Sequence, residues 1–264
     1  MVLVFLRCSP GIPGAAEAVP SKVLRMRASA VHRSLEAEVA AAFRRLGVAP
    51  RVLDVGGGSG VWAVPLARSG CLVTVVDPSP NALATLHRRA VDAGVQQLVS
   101  SVQGDADSLA DAVAAGSADL VLGHGVLEVV EDPAGVVRAL ADATVPGGAV
   151  SVLVSNRYAA VLVRALAGRL AEARQLLDDP DGRLGAADPV LRRFDTGGLI
   201  ALLEAGGLGV ELLHGDGVVA DLVPGGVLEA HPGAADQLAE LELSAAGRAP
   251  LRDIASRLHA LARR

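Results

Sequence analysis

The chain has 264 residues and is 51% hydrophobic, yet it holds one Trp, one Tyr and three Phe, so any folded core must be aliphatic. A formal net charge of −5 argues against a nucleic-acid binder that relies on bulk phosphate neutralisation. Charged residues interrupt the apolar segments throughout, which excludes a disordered chain, and no apolar run reaches the roughly 18 residues that a membrane-spanning helix needs.

Residues 1–21 read as a flexible tail rather than a signal peptide, because the first apolar run stops at Arg7 and no basic segment precedes it. Cys8 lies in this tail and Cys71 at a strand-like run, which provides neither a disulfide framework nor a cysteine zinc site and fits a reducing cytoplasm. From 22 to 264 the chain reads as one domain. Leu24, Ala28, Val31, Leu35, Val39, Phe43 and Leu46 recur at helical spacing, and Gly47 and Pro50 end that N-terminal helix, so 22–50 forms one unit.

Over 51–156 short aliphatic runs at 51–55, 71–77, 98–103, 118–123 and 149–155 alternate with helical patterns near 60–69, 80–93, 107–115 and 133–143. Strands apolar on both faces and separated by helices predict a doubly wound, Rossmann-like α/β sheet, mostly parallel, whose ligands bind beyond the carboxyl ends of the strands. A helical insertion is expected over 157–207, with a helix near 157–177 and another at 196–205 capped by Asp195. In 208–264, VELL (210–213) and VVADLV (218–223) flank Gly215-Asp216-Gly217 and predict an antiparallel hairpin, followed by a helix around Ala234, Leu238 and Leu241. Leu251, Ile254, Leu258 and Leu261 fit either a terminal helix or a closing edge strand.

The segment Val52-Leu-Asp54-Val-Gly56-Gly57-Gly58-Ser-Gly60 carries the chemistry: a strand ends in a carboxylate and runs into four glycines before a helix, so backbone can lie directly against a ligand. As G-x-G-x-x-G it fails, since Val61 stands at the helix-packing position. As D-x-G-x-G-x-G it fits, and it resembles motif I of class I S-adenosylmethionine-dependent methyltransferases. Asp77 ends the second strand ahead of Pro78-Ser79-Pro80, with Ser79 placed to cap a helix and Pro80 at its first position. A carboxylate there can accept both hydroxyls of an adenosine ribose; the alternative is a solvated strand-end Asp. Asp107, in Gly104-Asp105-Ala106-Asp107, falls where such enzymes hold adenine, or else caps a helix.

The succession VLDVGGGSG, VVDPS, HGVLEVVEDP and VPGGAVSVLVSN is further similar to the tRNA 5-carboxymethoxyuridine methyltransferases, over residues 22–264 and most strongly over 51–156. The resemblance implies cofactor contact by Arg27, Gly56, Gly57, Asp77, Ala106, Asp107 and His124, with Asp54 and Gly58 belonging to motif I. Arg27 at the edge of the helix's apolar stripe either forks onto the cofactor's carboxylate or lies along apolar surface. Asn156 and Tyr158 would border the acceptor, and Arg257 and His259 would face it from a final strand, unless they form the polar side of a terminal helix. Trp62 is expected to pack a helix.

The acceptor half departs from the tRNA-modifying pattern: Gly215-Asp216-Gly217 lacks the Arg and aromatics of that family's hairpin, and the 170–190 connection reads DDPDG instead of basic. The expected reaction is therefore in-line methyl transfer from S-adenosylmethionine to an oxygen, carboxylate or hydroxyl, of a small molecule or a modified tRNA uridine. Positioning alone can supply about 7–11 kcal/mol of its barrier reduction. A cofactor-binding protein without activity and a nicotinamide-dependent oxidoreductase are the alternatives. The remaining histidines have no ligand spacing and no metal is expected.

Overall fold

The computed structural model describes residues 29–264. The tail 1–21 and Arg27 lie outside the described residues, as does the start of the predicted N-terminal helix. Helix α1 (Ala30–Leu46) is capped by the Ser29 side chain, which accepts from the His32 amide at 3.2 Å, and stops at Gly47 in the left-handed region. There follow β1 (Arg51–Val55), α2 (Ala63–Arg68), β2 (Leu72–Asp77), α3 (Pro80–Asp92), β3 (Val99–Gln103), α4 (Leu109–Ala112), β4 (Ala118–His124), α5 (Pro133–Ala143) and β5 (Thr144–Ser155). Ser79 caps α3 and Pro80 opens it, as the sequence predicts.

Among the described residues seven strands form one sheet in the order β3-β2-β1-β4-β5-β7-β6, where β6 is Gly209–Asp216 and β7 is Arg257–Arg263. β1 to β5 are parallel, and β7 runs antiparallel to both β5 and β6. Successive residues of a strand point to opposite faces, and both faces are covered. Leu53, Val55, Val121, Val150, Val152, Leu258 and Ala260 pack on one side with α5 and with α8 (Thr196–Ala205). Val52, Val73, Leu120, Leu122, Leu153 and Leu261 pack on the other with Val31 and Leu35 of α1 and Ala63 and Leu66 of α2. The aliphatic composition thus fills two layers that need no aromatic cores. Cys71 is buried in the second layer, and burial pushes its thiol up to about 11.

Two predicted elements differ. Gly217 does turn the chain, but 218–223 is not a strand: the backbone N–H groups of Val218, Val219 and Ala220 all donate to the Glu242 carboxylate on α10 (Ala234–Ala245), at 2.9, 2.6 and 2.7 Å. With those donors committed, β6 pairs instead with β7, so the antiparallel pair at the C-terminus is closed by residues 257–263 rather than by a local hairpin. β7 is an interior strand, and β6 is the edge. The predicted helix at 157–177 is broken into α6 (Arg157–Leu166) and α7 (Leu170–Asp178) by Gly168 at φ +74. The short α9 (Gly225–Ala230) completes the elements.

Asn156 fastens the insertion to the sheet. Its side-chain oxygen caps α6 by accepting from the Tyr158 amide at 3.0 Å, while its side-chain nitrogen donates to the carbonyls of Asp253 and Ala255 at 2.9 and 2.7 Å. Arg157 then holds the end of α7, donating to the carbonyls of Leu176, Leu177, Asp179 and Pro180. Asn156→Ala would leave one buried and one part-buried carbonyl without this donor, and we expect it to lower stability by about 1–3 kcal/mol in urea unfolding; a loss below about 0.5 kcal/mol, the scatter of neutral surface changes, would remove this anchoring role.

Candidate functional site

The carboxyl ends of β1, β2 and β4 meet at one rim, and the loop after β1 lies across it. Gly56, Gly58 and Gly60 adopt φ of +67, +54 and +79, which side chains with a Cβ rarely adopt. Space is as restrictive as angle: a Cβ on Gly56 would sit 2.7 Å from Val126, and one on Gly57 only 2.4 Å from the Asp54 carboxylate. The loop is tied down by the Gly56 amide donating to the Val76 carbonyl at 2.8 Å and the Gly58 amide donating to Asp77 Oδ2 at 2.9 Å. Oδ1 of Asp77 accepts from the Ser79 amide at 2.9 Å, so this carboxylate is oriented by backbone from two sides. The result is a glycine cradle with an aimed acidic group at its edge.

Asp54 lies beneath the cradle, buried, with Oδ2 lacking a partner. Burial first, and the nearby Asp77 charge second, push its pKa up to about 7. Ala106 is buried and Asp107 exposed beyond β3; it is Asp105, not Asp107, that caps this turn, accepting from the Asp107 amide at 3.2 Å. Asp107 is therefore left with a carboxylate free of the capping role.

His124 ends β4 on the face that carries α1 and α2. Its ring stands edge-on to Trp62 at 5.0 Å, and Trp62 in turn meets His32 of α1 at 6.4 Å, so Trp62 joins two elements to the rim rather than merely packing its helix. Nε2 of His124 lies 2.8 Å from Ser151 Oγ, and the same hydroxyl lies 2.8 Å from Nε2 of His259. His259 is fully buried, which corrects the expectation that it faces an acceptor directly. Burial, with help from His214, pushes its pKa down to about 3. Arg257, two residues earlier on the same face of β7, is half-exposed and paired with Asp216.

Of the acceptor-side residues, Tyr158 is exposed on the first turn of α6, whereas Asn156 has its amide spent on the structural bonds above and does not border an acceptor. The structure adds Glu128, which sequence reasoning left out of the site although it stands in the HGVLEVVEDP block. It is buried after β4, with Oε1 accepting from the amide and hydroxyl of Ser155 at 3.2 and 3.0 Å and Oε2 unpartnered. Burial raises its pKa, against the lowering effects of its hydrogen bonds and of Arg257. Among the described residues no group of three His, Cys, Asp or Glu side chains is placed to hold a metal ion, and no helix is long and apolar enough to cross a membrane.

An acid whose folded pKa lies above its unfolded value binds its proton more tightly in the native state, so Asp54 makes stability fall as pH rises from its ordinary 3.8 to about 7. Asp54→Asn should flatten this part of the stability profile, measured by urea unfolding across acidic and neutral pH; an unchanged slope would show that Asp54 ionises normally.

The methyltransferase-domain family model matches residues 27–208. Curated relatives include the ubiquinone biosynthesis O-methyltransferases of Xanthomonas axonopodis pv. citri, 36% identical over 126 residues, which are 48% of this chain and 52% of that one, and of Xylella fastidiosa strain 9a5c, 36% identical over 118 residues, 45% and 47% of the two chains. The chain thus spans about half the length of the curated relatives it matches. These relatives are named for O-methylation in ubiquinone biosynthesis and not for the tRNA group. Among solved structures, an S-adenosylmethionine-dependent methyltransferase from Mesorhizobium loti superposes with a TM-score of 0.56 at 20% identity, covering 89% of this chain and 98% of that one. One from Methanosarcina mazei gives 0.57 at 17%, covering 85% and 96%. The chain belongs to the methyltransferase-domain family and has the fold of S-adenosylmethionine-dependent methyltransferases.

Proposed function

We propose that the protein transfers a methyl group from S-adenosylmethionine to the hydroxyl oxygen of a small, largely apolar molecule. One observation carries the cofactor assignment: the glycine cradle after β1 is bonded, through the Gly58 amide, to the strand-end carboxylate of Asp77. Family membership sets aside the nicotinamide alternative. The residues fit the group: the positive φ of Gly56, Gly58 and Gly60 keeps side chains out of the loop, Asp77 accepts from ribose hydroxyls, and Ala106 and Asp107 lie at the next strand end for adenine. His124, and Arg27 outside the described residues, belong to the methionine end, with Asp54 supporting the loop from below.

When bound, S-adenosylmethionine supplies a methyl group on a positively charged sulfur, already activated for displacement. The chain's task is to align the acceptor, exclude water and remove the acceptor's proton. A hydroxyl acceptor is supported by the O-methyltransferase names of the curated relatives. The tRNA alternative loses support from the acceptor half itself, where Arg257 is paired with Asp216, and from a composition of one Trp, one Tyr and three Phe that offers few rings for stacking on bases. A base-stacking platform and a basic track are what single-stranded RNA needs.

Isothermal titration with S-adenosylhomocysteine should show binding, and Asp77→Ala should weaken it by about 1.5–3 kcal/mol as charge-assisted bonds are lost. No binding at millimolar ligand would end the methyltransferase proposal, and unchanged affinity in Asp77→Ala would end the ribose assignment. Label transfer from methyl-labelled S-adenosylmethionine should favour hydroxyaromatic acceptors over bulk tRNA; the reverse preference would restore the nucleotide acceptor.

A further inference from the structure

We propose that His124, Ser151 and His259 form a two-state proton relay, with His124 the base that takes the acceptor's proton and Ser151 and His259 the groups that position it. This rests on the hydroxyl-methylating function proposed above. The relay is built by strand register: Leu153 of β5 lies opposite both His124 of β4 and His259 of β7, and Ser151 is two residues back on the same face. Each ring therefore leans across a diagonal to one shared hydroxyl, 2.8 Å from Nε2 on either side.

Proton counting then restricts the states. Ser151 has one hydrogen to donate and, among the described residues, its hydroxyl has no partner but the two rings, so with both rings neutral one Nε2 accepts it and the other Nε2 carries a proton that it donates back to Oγ. The two imidazoles must be opposite tautomers, and shifting every proton one place exchanges them. In one state Nδ1 of His124 is bare and Nδ1 of His259 is protonated; in the other the reverse holds.

Both Nδ1 atoms are buried and without a partner. A network serving only the core would satisfy its ends, because an unpaired buried nitrogen costs stability. Here the two unpartnered nitrogens are the ends of the hydrogen-bonded chain, one on the ring at the rim and one on the ring facing β6. His124 stands at the rim beside Trp62, and His259 lies opposite His214 of β6, which is partly exposed with Nδ1 3.4 Å from Ser34 Oγ on α1. Burial, then His259 and Arg257, keep His124 neutral at rest, and burial and Arg252 do the same for His214. Glu128 and Asp216, facing Arg257, are the acidic groups of this neighbourhood.

The step balances as follows. The methyl carbon's bond to sulfur breaks with its electron pair going to sulfur, the bond to the acceptor oxygen forms, and the hydroxyl proton passes to Nδ1 of His124. Nε2–H of His124 moves to Ser151, the serine proton to Nε2 of His259, and the proton on Nδ1 of His259 is released to water on the side of the partly exposed His214. No charge is left in the core.

Imidazole nitrogen NMR on the full chain with isotopically labelled histidine, assigned through His124→Gln and His259→Gln, tests the relay without an acceptor. One ring should be the Nδ1–H tautomer and the other Nε2–H, both neutral at neutral pH. The same tautomer in both rings, or an imidazolium in either, would overturn it. Ser151→Ala, which keeps a small residue in the strand, should lower transfer to a hydroxyaromatic acceptor by up to about 10²-fold, with the loss recovered as rising pH ionises the acceptor. A loss that pH does not recover would mark Ser151 as structural only. S-adenosylhomocysteine titration of the same samples separates failures: absent binding counts against the methyltransferase function, while intact binding with matched tautomers counts against the relay alone.

Discussion

Strand register is the constraint on which the site depends. In a sheet covered on both faces, a slip of one residue would exchange the two layers and turn every polar side chain into the wrong one. Leu120 and Leu122 lock β4 to the α1–α2 side, which carries His124 to that side as well. Leu261 does the same for β7 and His259, and Leu153 for β5 and Ser151. Aliphatic packing thus pays for the placement of three polar groups that contribute little core energy of their own.

The rim has two chemically different halves. Around β1 and β2 the groups are backbone amides and carboxylates, bonded to one another through Asp77 and poised over the buried Asp54. Around β4, β5 and β7 they are imidazoles, a hydroxyl and the buried Glu128. The first half suits a polar, cationic cofactor, and the second is placed to handle one proton in an apolar setting. The insertion is tied to the second half: the Glu128 carbonyl accepts from the Leu191 and Arg192 amides, which fastens the segment before α8 to the loop after β4. Arg193 and Asp188 brace that segment; burial opposes ionisation of Asp188, but two bonds from Arg193 of 2.7 and 2.9 Å hold its pKa down to about 2.

The glycine loop after β1 was legible in the sequence because its parts are local. A strand, four glycines and a helix within a dozen residues need no distant partner to be recognised, and Asp77 follows at the end of the next strand. The Ser79 and Asp195 caps are similarly readable, since each bonds to an amide three residues away. The half of the rim around β4, β5 and β7 was not legible. His259 looked like a surface or substrate residue because nothing near it in sequence reveals that β7 slides between β5 and β6. Asn156 looked like an acceptor contact because its partners, Asp253 and Ala255, lie about a hundred residues downstream.

Sequence alone therefore determined the alternating α/β order, the aliphatic two-layer core and the glycine loop with its carboxylates, all of which follow from period, spacing and local backbone chemistry. Only the tertiary structure decided which antiparallel strand completes the sheet and which histidines share a serine. Glu242 bonds the amides that a local hairpin would have used, leaving β6 to β7. The choice between those pairings is made by groups remote in the chain, and no pattern within either segment encodes it.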